Sequence, residues 1–173
     1  SEMQRLHILF DRYNDFVDSD GKDIVNLKDI NESYGSGEKL VVDQDLIDLL
    51  KLSIDLSELT EGYFNPTLGE LIDTWNYRIE DGEKYTRYSP YCFEDEDPLE
   101  SDVEASKSKV IPYDELSSYL VINDEENTVE FKKYKDVDQI TLSLGAIAKG
   151  YAVEKAKAIV DTFNVSAMID GGS

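Results

Sequence analysis

The sequence predicts an α+β fold in which helices pack on a mainly antiparallel sheet and a terminal β-α-β unit follows. Apolar residues recur at helical spacing over residues 4–17 and again over 42–59, which is typical of amphipathic helices. Residues 119–131 contain two runs of β-branched and aromatic side chains around a polar centre, which indicates a hairpin. Residues 140–169 alternate, change to helical spacing and then become strand-like again, which predicts the β-α-β unit.

The size and charge of the chain limit what it can do. Its 173 residues, 40% of them apolar, suffice for one domain or for part of a larger one. Lys and Arg number 17 against 38 Asp and Glu, so the formal net charge is −21. Such a charge repels phosphate backbones and excludes nucleic acid as a partner. A single cysteine and a single histidine exclude a Cys-based zinc site and a His pair for metal.

The first predicted helix covers residues 4–17. His7 lies beside its apolar stripe, where it is either a boundary histidine or a catalytic group. Residues 18–39 are polar and contain three glycines, so they are predicted to be loop with at most a short helix around 24–30.

The next helix is predicted to begin after Asp43. Asp43 is a preferred N-cap residue, and Ile47 stands where it can pack against Val42 as a hydrophobic staple. Apolar positions continue at helical spacing to about residue 59, so the helix is predicted to end there.

The segment before a third helix is predicted to be extended, because Asn65 precedes a proline. The side chains of Tyr63 and Phe64 are either part of the core or available to stack on a flat ring. Thr67 and Glu70 have the spacing of a capping box at the head of that helix. Its predicted buried side consists of Leu68, Leu71, Ile72 and Trp75.

Residues 81–109 form a compositionally distinct segment. They have few aliphatic side chains, two prolines and many acids, so they are predicted to be a solvated acidic insertion or loop. An acidic surface that binds a partner is the alternative interpretation. Cys92 lies within the segment and is predicted to be unreactive, because neighbouring acids disfavour the thiolate.

The last third contains the hairpin and the terminal unit. The predicted elements are strands at 119–122, 128–131, 140–144 and 165–169 and a helix at 147–163. The predicted inner face of this helix comprises Ala148, Tyr151, Ala152, Ala156, Ile159 and Val160. Because a glycine turn at 170–173 directly follows a strand, we expect the natural chain to continue and this one to be truncated at its C-terminus.

Residues 143–151 join the last predicted helix to the strand before it through small side chains. A helix N-terminus with Lys149 in its first turns is suited to a phosphate group. The same small residues also favour tight packing of a helix on a sheet, so both interpretations stay open. The segment is not a Walker A loop, because Lys149 precedes its glycine and no Ser or Thr follows.

Two segments together resemble the ApbE family of flavin transferases. Residues 60–75, TEGYFNPTLGELIDTW, resemble the family pattern T-x-G-x-F-D-P-T-x-G-x-L-x-x-x-W. Residues 144–155, LGAIAKGYAVEK, resemble the pattern L-G-x-I-A-K-G-Y-A-x-[DE], and residues 170–172 stand where the family has N-x-G-G. The chain is similar to the N-terminal portion of the family, so residues 1–173 are expected to be part of a flavin transferase domain.

Members of this family transfer FMN from FAD to a Thr or Ser hydroxyl of an acceptor flavoprotein subunit, releasing AMP, with Mg²⁺. The resemblance implies that Tyr63, Phe64 and Asn65 contact the adenosine side of FAD. Some relatives hydrolyse FAD to FMN and AMP instead, and a non-catalytic flavin-binding protein is a further alternative. Family members are commonly lipoproteins of the bacterial cell membrane, so the resemblance also implies an extracytoplasmic, lipid-anchored protein.

The second pattern implies further contacts. Ser143 and Lys149 would contact the dinucleotide, and the backbone carbonyl of Ala146 would be one Mg²⁺ ligand. Transfer at a pyrophosphate depends on positioning and charge neutralisation, and a carbonyl is an ordinary ligand for a hard cation. Asn65 stands where the family usually has Asp, which leaves hydrogen bonding in place of charge. The catalytic residues are expected in the half of the family's length that this chain lacks, so the chain alone is expected to be inactive or feeble.

Overall fold

The computed structural model describes residues 1–80, 83–86, 97–163 and 165–169. Its helices are α1 (Glu2–Phe10), α2 (Leu27–Glu32), α3 (Gln44–Leu59), α4 (Gly69–Asn76), α5 (Glu100–Lys107), α6 (Leu116–Tyr119) and α7 (Gly145–Asp161). Its strands are β1 (Leu40–Val41), β2 (Tyr77–Glu80), β3 (Glu83–Thr86), β4 (Leu120–Asn123) and β5 (Thr128–Phe131). Helices combined with small antiparallel sheets confirm the predicted α+β class.

A three-stranded antiparallel sheet in the order β1-β5-β4 contains the predicted hairpin. Strands β4 and β5 pair from Leu120↔Phe131 to Asn123↔Thr128, so the hairpin is confirmed with a loop one residue shorter than predicted. Asn127 ends this loop with a φ of 51°, a left-handed conformation that Asn tolerates better than most residues. Strands β2 and β3 form a separate antiparallel pair.

The main hydrophobic core is formed by residues of α2, α3, the three-stranded sheet and the segment before α7. The start of α3 is as predicted, because the Asp43 side chain accepts a hydrogen bond from the Asp45 amide, and Val42 and Ile47 are both buried. The largest fully buried side chains are Phe131, Leu6, Leu27, Ile30, Leu46, Ile47, Leu49, Leu50, Ile111, Leu116, Leu120 and Ile140. Among the described residues, no helix combines the length and apolar composition that a membrane span requires.

Helix α1 ends at Phe10, well before the predicted end at residue 17. The Asp11 carboxylate accepts hydrogen bonds from the amides of Tyr13 and Asn14 at 2.7 and 2.8 Å. A short acidic side chain that binds the backbone just after it offers an alternative to the helical hydrogen bonds. The apolar spacing beyond Asp11 therefore does not indicate a helix, and the Tyr13 side chain is largely exposed.

The capping box predicted at Thr67 and Glu70 is wrong, because α4 begins at Gly69 without a side-chain cap. The Thr67 hydroxyl instead accepts a hydrogen bond from the Ile111 amide at 3.1 Å. The Glu70 carboxylate accepts one from the Thr141 hydroxyl at 2.6 Å. Both side chains are thus used for tertiary contacts with distant segments, which outweigh the local capping pattern.

The described parts of the acidic segment 81–109 contain strand β3 and helix α5 rather than loop alone. Helix α5 lies against α4, where the hydroxyl oxygens of Thr74 and Ser106 are 2.6 Å apart. Burial on α4 is less complete than predicted, since Ile72 is 36% exposed and Trp75 is 40% exposed.

The helix of the predicted β-α-β unit is present as α7, but neither flanking segment is a strand. Residues 140–144 make only isolated backbone hydrogen bonds with the segment 66–69, and isolated bonds do not form a ladder. Residues 165–169 have no strand partner among the described residues. None of the residues of α7 is buried, including the predicted inner face. Cys92 and the turn at 170–173 lie outside the described residues.

Candidate functional site

The two segments that carry the family resemblance lie side by side. The Ser143 amide donates to the Pro66 carbonyl at 2.7 Å, and the Gly69 amide donates to the Thr141 carbonyl at 3.0 Å. A Cβ atom on residue 69 would overlap the Thr141 carbonyl group, so this close approach requires glycine. The start of α7 is thereby fixed next to the start of α4.

Asn65 is buried and stabilises the turn before α4. Its Nδ2 donates to the Ile111 carbonyl at 2.8 Å, and its Oδ1 accepts from the amide and the hydroxyl of Thr67 at 2.9 and 2.7 Å. These bonds use the oxygen twice and one of the two amide hydrogens. A ligand contact by Asn65 would therefore have to come from the remaining hydrogen.

Tyr63 is 95% exposed, so the interpretation of its side chain as part of the core is wrong. Glu61 and Gly62 have φ values of 52° and 84°, which reverse the chain direction just before it. Phe64 is half-buried, and its amide donates to the Thr60 hydroxyl at 3.0 Å. The exposed Tyr63 ring is thus held on a tight turn, where a flat ligand can stack on it.

A cavity of about 450 Å³ lies between α1 and the start of α7. Its volume is within the range of small-molecule sites. The lining residues are Met3, Leu6, His7, Phe10, Asp11, Arg12, Tyr13, Ser143, Leu144, Gly145, Ala148, Lys149 and Ala152. The structure thus brings Ser143 and Lys149, the two predicted dinucleotide contacts, together in one cavity wall.

Basic side chains are concentrated at this cavity. His7, Arg12 and Lys149 line it, and Asp11 is the one acidic side chain among the lining residues that the structure describes. Over the whole chain, in contrast, acidic side chains far outnumber basic ones and the net charge is −21. Lys149 in the wall favours a ligand that carries phosphate, whereas the charge of Arg12 is already compensated by Asp73.

Arg12 is a functional candidate that the sequence alone does not single out. Its guanidinium is paired with Asp73 at 2.8 and 3.3 Å, and its side chain is only 8% exposed. A second cavity of about 520 Å³ shares Arg12 and Tyr13 with the first. Arg12 therefore borders both cavities, and its guanidinium is held by a contact across 61 residues of sequence.

Asn31 positions the segment that leads into α7. Its Oδ1 accepts from the Leu142 amide at 2.7 Å, and its Nδ2 donates to the Leu142 carbonyl at 3.2 Å. Leu142 is fully buried, so these two bonds satisfy backbone groups that a strand neighbour would otherwise pair. No local pattern marks Asn31 for this role, because the contact spans 111 residues.

The other predicted contacts, Tyr63, Phe64, Asn65 and Ala146, do not line the cavity. Ala146 is exposed in the first turn of α7. Within the described ranges, no group of three or more His, Cys, Asp or Glu side chains is placed to hold a metal ion. One neutral carbonyl falls well short of the roughly six oxygen ligands that Mg²⁺ takes, so the described residues do not form a Mg²⁺ site by themselves.

Solved structures with a similar fold include those of three ApbE proteins. The ApbE protein of Thermotoga maritima is 26% identical with a TM-score of 0.62, over 94% of this chain and 43% of that protein. The flavin transferase ApbE of Vibrio cholerae is 21% identical with a TM-score of 0.62, over 93% and 42%. The flavinyl transferase ApbE of Pseudomonas stutzeri is 18% identical with a TM-score of 0.63, over 96% and 45%. The chain thus spans less than half the length of the proteins it matches.

The sequence matches a family model along its whole length. No protein with a curated description matches significantly. The model of the ApbE family, however, matches residues 1–173, in agreement with the two motifs and with the shared fold. This chain belongs to the ApbE family.

Proposed function

We propose that this chain is part of a flavin transferase that moves FMN from FAD to a Thr or Ser hydroxyl of an acceptor protein and releases AMP. The observation that carries the proposal is the cavity between α1 and α7, which is lined by Lys149 of the family motif and by Ser143 directly before it. Two further basic residues, His7 and Arg12, line the same cavity of a strongly acidic chain. Membership of the family and two similar structures named as flavin transferases support the reaction class.

The reaction is a displacement at phosphorus. The acceptor oxygen forms a bond to the phosphorus of the FMN half, the bridging P–O bond breaks, and AMP leaves with the bonding electrons. The hydroxyl proton passes to a base that we expect outside this chain. Lys149 supplies positive charge to the pyrophosphate, and Ser143 supplies a hydroxyl donor, so both act by positioning and charge neutralisation.

Dependence on Mg²⁺ is part of the proposal. It is supported by the family resemblance and by the charge of a pyrophosphate, which a cation of this kind neutralises. The Ala146 carbonyl is the ligand that this chain would offer. Because one carbonyl binds Mg²⁺ weakly, we expect the other ligands to come from sequence beyond these residues.

Replacement of Lys149 tests the site. For Lys149→Ala, we expect the FAD dissociation constant measured by calorimetry to rise by about 10- to 100-fold, because a charge-assisted hydrogen bond to phosphate is lost. Lys157→Ala is the matched control, since Lys157 is an exposed lysine of the same helix paired with Asp161. Equal FAD affinity in the parent and both variants would contradict the assignment of Lys149.

Transfer itself is tested with FAD, Mg²⁺ and a Thr-containing acceptor, with products identified by mass spectrometry. We expect this chain alone to transfer little or no FMN, and addition of the remaining part of the family fold to restore transfer. Formation of FMN and AMP without a modified acceptor would instead indicate an FAD hydrolase. FAD binding without any product from the complemented pair would indicate a non-catalytic flavin-binding protein, for which Asn65 in place of the family's Asp is the supporting observation.

The proposal extends to the partner and the location that the resemblance implies. The acceptor would be a flavoprotein subunit with a Thr or Ser target, and the full-length protein would be an extracytoplasmic lipoprotein of the bacterial membrane. Flavin fluorescence on a membrane subunit in cells that carry the full-length gene, and its absence after deletion, would test both statements.

A further inference from the structure

We propose that the carboxylate of Asp45 sets the spacing between α1 and α7 and thereby the shape of the cavity between them. Asp45 lies in the first turn of α3 and is 9% exposed. It does not line the cavity. Asp45 is therefore a positioning residue. Its effect on FAD affinity rests on the proposed function, whereas its effect on the helix spacing does not.

One carboxylate is shared between the two helices. On the α1 side, Arg5 donates to Asp45 Oδ2. On the α7 side, the Tyr151 hydroxyl and Lys155 Nζ lie 2.7 and 2.6 Å from Asp45 Oδ1. We call Arg5, Asp45, Tyr151 and Lys155 the Asp45 cluster.

The three donors around the Asp45 carboxylate favour its ionised form. Burial raises the pKa of Asp45, but the hydrogen bonds from its three donors outweigh burial and lower the pKa to about 2. Two further carboxylates bind the Arg5 guanidinium, that of Asp43 at 2.7 Å and that of Glu2 on α1 itself at 2.6 Å. Arg5 is thus tied to the N-cap and to the first turn of α3, which gives α1 a defined position.

Apolar packing holds α7 in place less firmly than it holds α3. No residue of α7 is buried, whereas α3 contains Leu46, Ile47, Leu49 and Leu50 at 0% exposure. The ring of Tyr151 does pack edge-on against Phe10 of α1, with centroids 5.8 Å apart. Ile147, Ala148 and Tyr151 of α7 are only partly buried where they pack against the main core, so we infer that the directed polar contacts add to the forces that fix the helix.

Both tied helices form the cavity wall. Helix α1 supplies Leu6, His7 and Phe10, and α7 supplies Ala148, Lys149 and Ala152. Tyr151 and Lys155, which contact Asp45, lie within the two turns of α7 that follow Lys149. A change in helix spacing would therefore move the Lys149 amine relative to His7 and Arg12.

The test measures the helix spacing directly. Spin labels are placed on α1 and α7 through Gln4→Cys and Ala158→Cys in a Cys92→Ser background, and the distance distribution is measured by double electron–electron resonance. We expect a narrow distribution in the parent and a broad one in Asp45→Asn. The matched control Asp55→Asn removes an exposed carboxylate of the same helix and is expected to keep the narrow distribution.

A second pair of variants separates positioning from general loss of structure. Lys155→Met removes the ion pair of a partly exposed residue with Asp45 and is expected to broaden the distance distribution. Lys155→Arg keeps the cation and is expected to keep the distribution narrow. Far-UV circular dichroism confirms that each variant is folded. An unchanged distribution in folded Asp45→Asn and Lys155→Met would overturn the proposal.

The consequence for binding is measured separately. We expect the FAD dissociation constant of Asp45→Asn to rise by about tenfold, since a residue that acts through its neighbours changes affinity by this order. A broad distance distribution with unchanged FAD affinity would overturn the link between spacing and binding. If the parent binds no FAD, the proposed function fails, while the distance measurement still decides the role of Asp45.

Discussion

Gly69→Ala is expected to lower the free energy of unfolding by about 3 kcal/mol. The new Cβ would overlap the Thr141 carbonyl oxygen and lie 2.8 Å from both the carbonyl carbon and Cγ2 of Thr141. Backbone atoms cannot rotate away as a flexible side chain can. Relief therefore requires the two family motifs to separate, with loss of the 3.0 Å hydrogen bond between the Gly69 amide and Thr141.

Urea unfolding followed by circular dichroism measures this loss. Gly150→Ala is the matched control, because a Cβ on Gly150 meets nothing within 4 Å and alanine is the better helix former. That variant is expected to be unchanged or more stable by up to about 1 kcal/mol. An unfolding free energy for Gly69→Ala within about 0.5 kcal/mol of the parent would show that the motifs can move apart at little cost.

Elements with local determinants could be predicted from the sequence. Asp is a preferred N-cap residue, and Asp43 directly precedes an amphipathic segment, so the start of α3 could be predicted. The hairpin at 120–131 could be predicted from two β-rich segments around a polar turn. One prediction failed because a side chain had a distant partner. Thr67 follows the capping pattern, yet its hydroxyl bonds a backbone amide 44 residues away. A pattern of a few residues contains no information about such a partner.

Some residues of the candidate site could likewise be predicted from the sequence, and others could not. Lys149 could be named from the sequence because it stands in a long and specific pattern, and Ser143 because it directly precedes that pattern; both line one cavity. Arg12 could not, since its place in the cavity wall follows from an ion pair with Asp73 on α4. The Asp45 cluster is equally inaccessible to sequence patterns, because it joins three helices across more than 100 residues.

The second large effect is expected for Asn31→Ala, which leaves the backbone of Leu142 without partners. Asn31 is 6% exposed and Leu142 is 0% exposed, so water cannot replace the lost amide. Each buried backbone group left unpaired costs about 1–3 kcal/mol, and both the N–H and the C=O of Leu142 lose a bond. We therefore expect the free energy of unfolding to fall by about 3 kcal/mol.

Two measurements distinguish this explanation from a nonspecific loss of stability. Amide hydrogen exchange should show a loss of protection at Leu142, and FAD affinity should fall because Ser143 follows it directly in the cavity wall. Asn14→Ala, which removes an exposed asparagine side chain, is expected to change the unfolding free energy by no more than about 0.5 kcal/mol. A Leu142 amide that stays protected in folded Asn31→Ala would contradict the role assigned to this side chain. The position of Ser143 would then depend on its own 2.7 Å hydrogen bond to Pro66 rather than on Asn31.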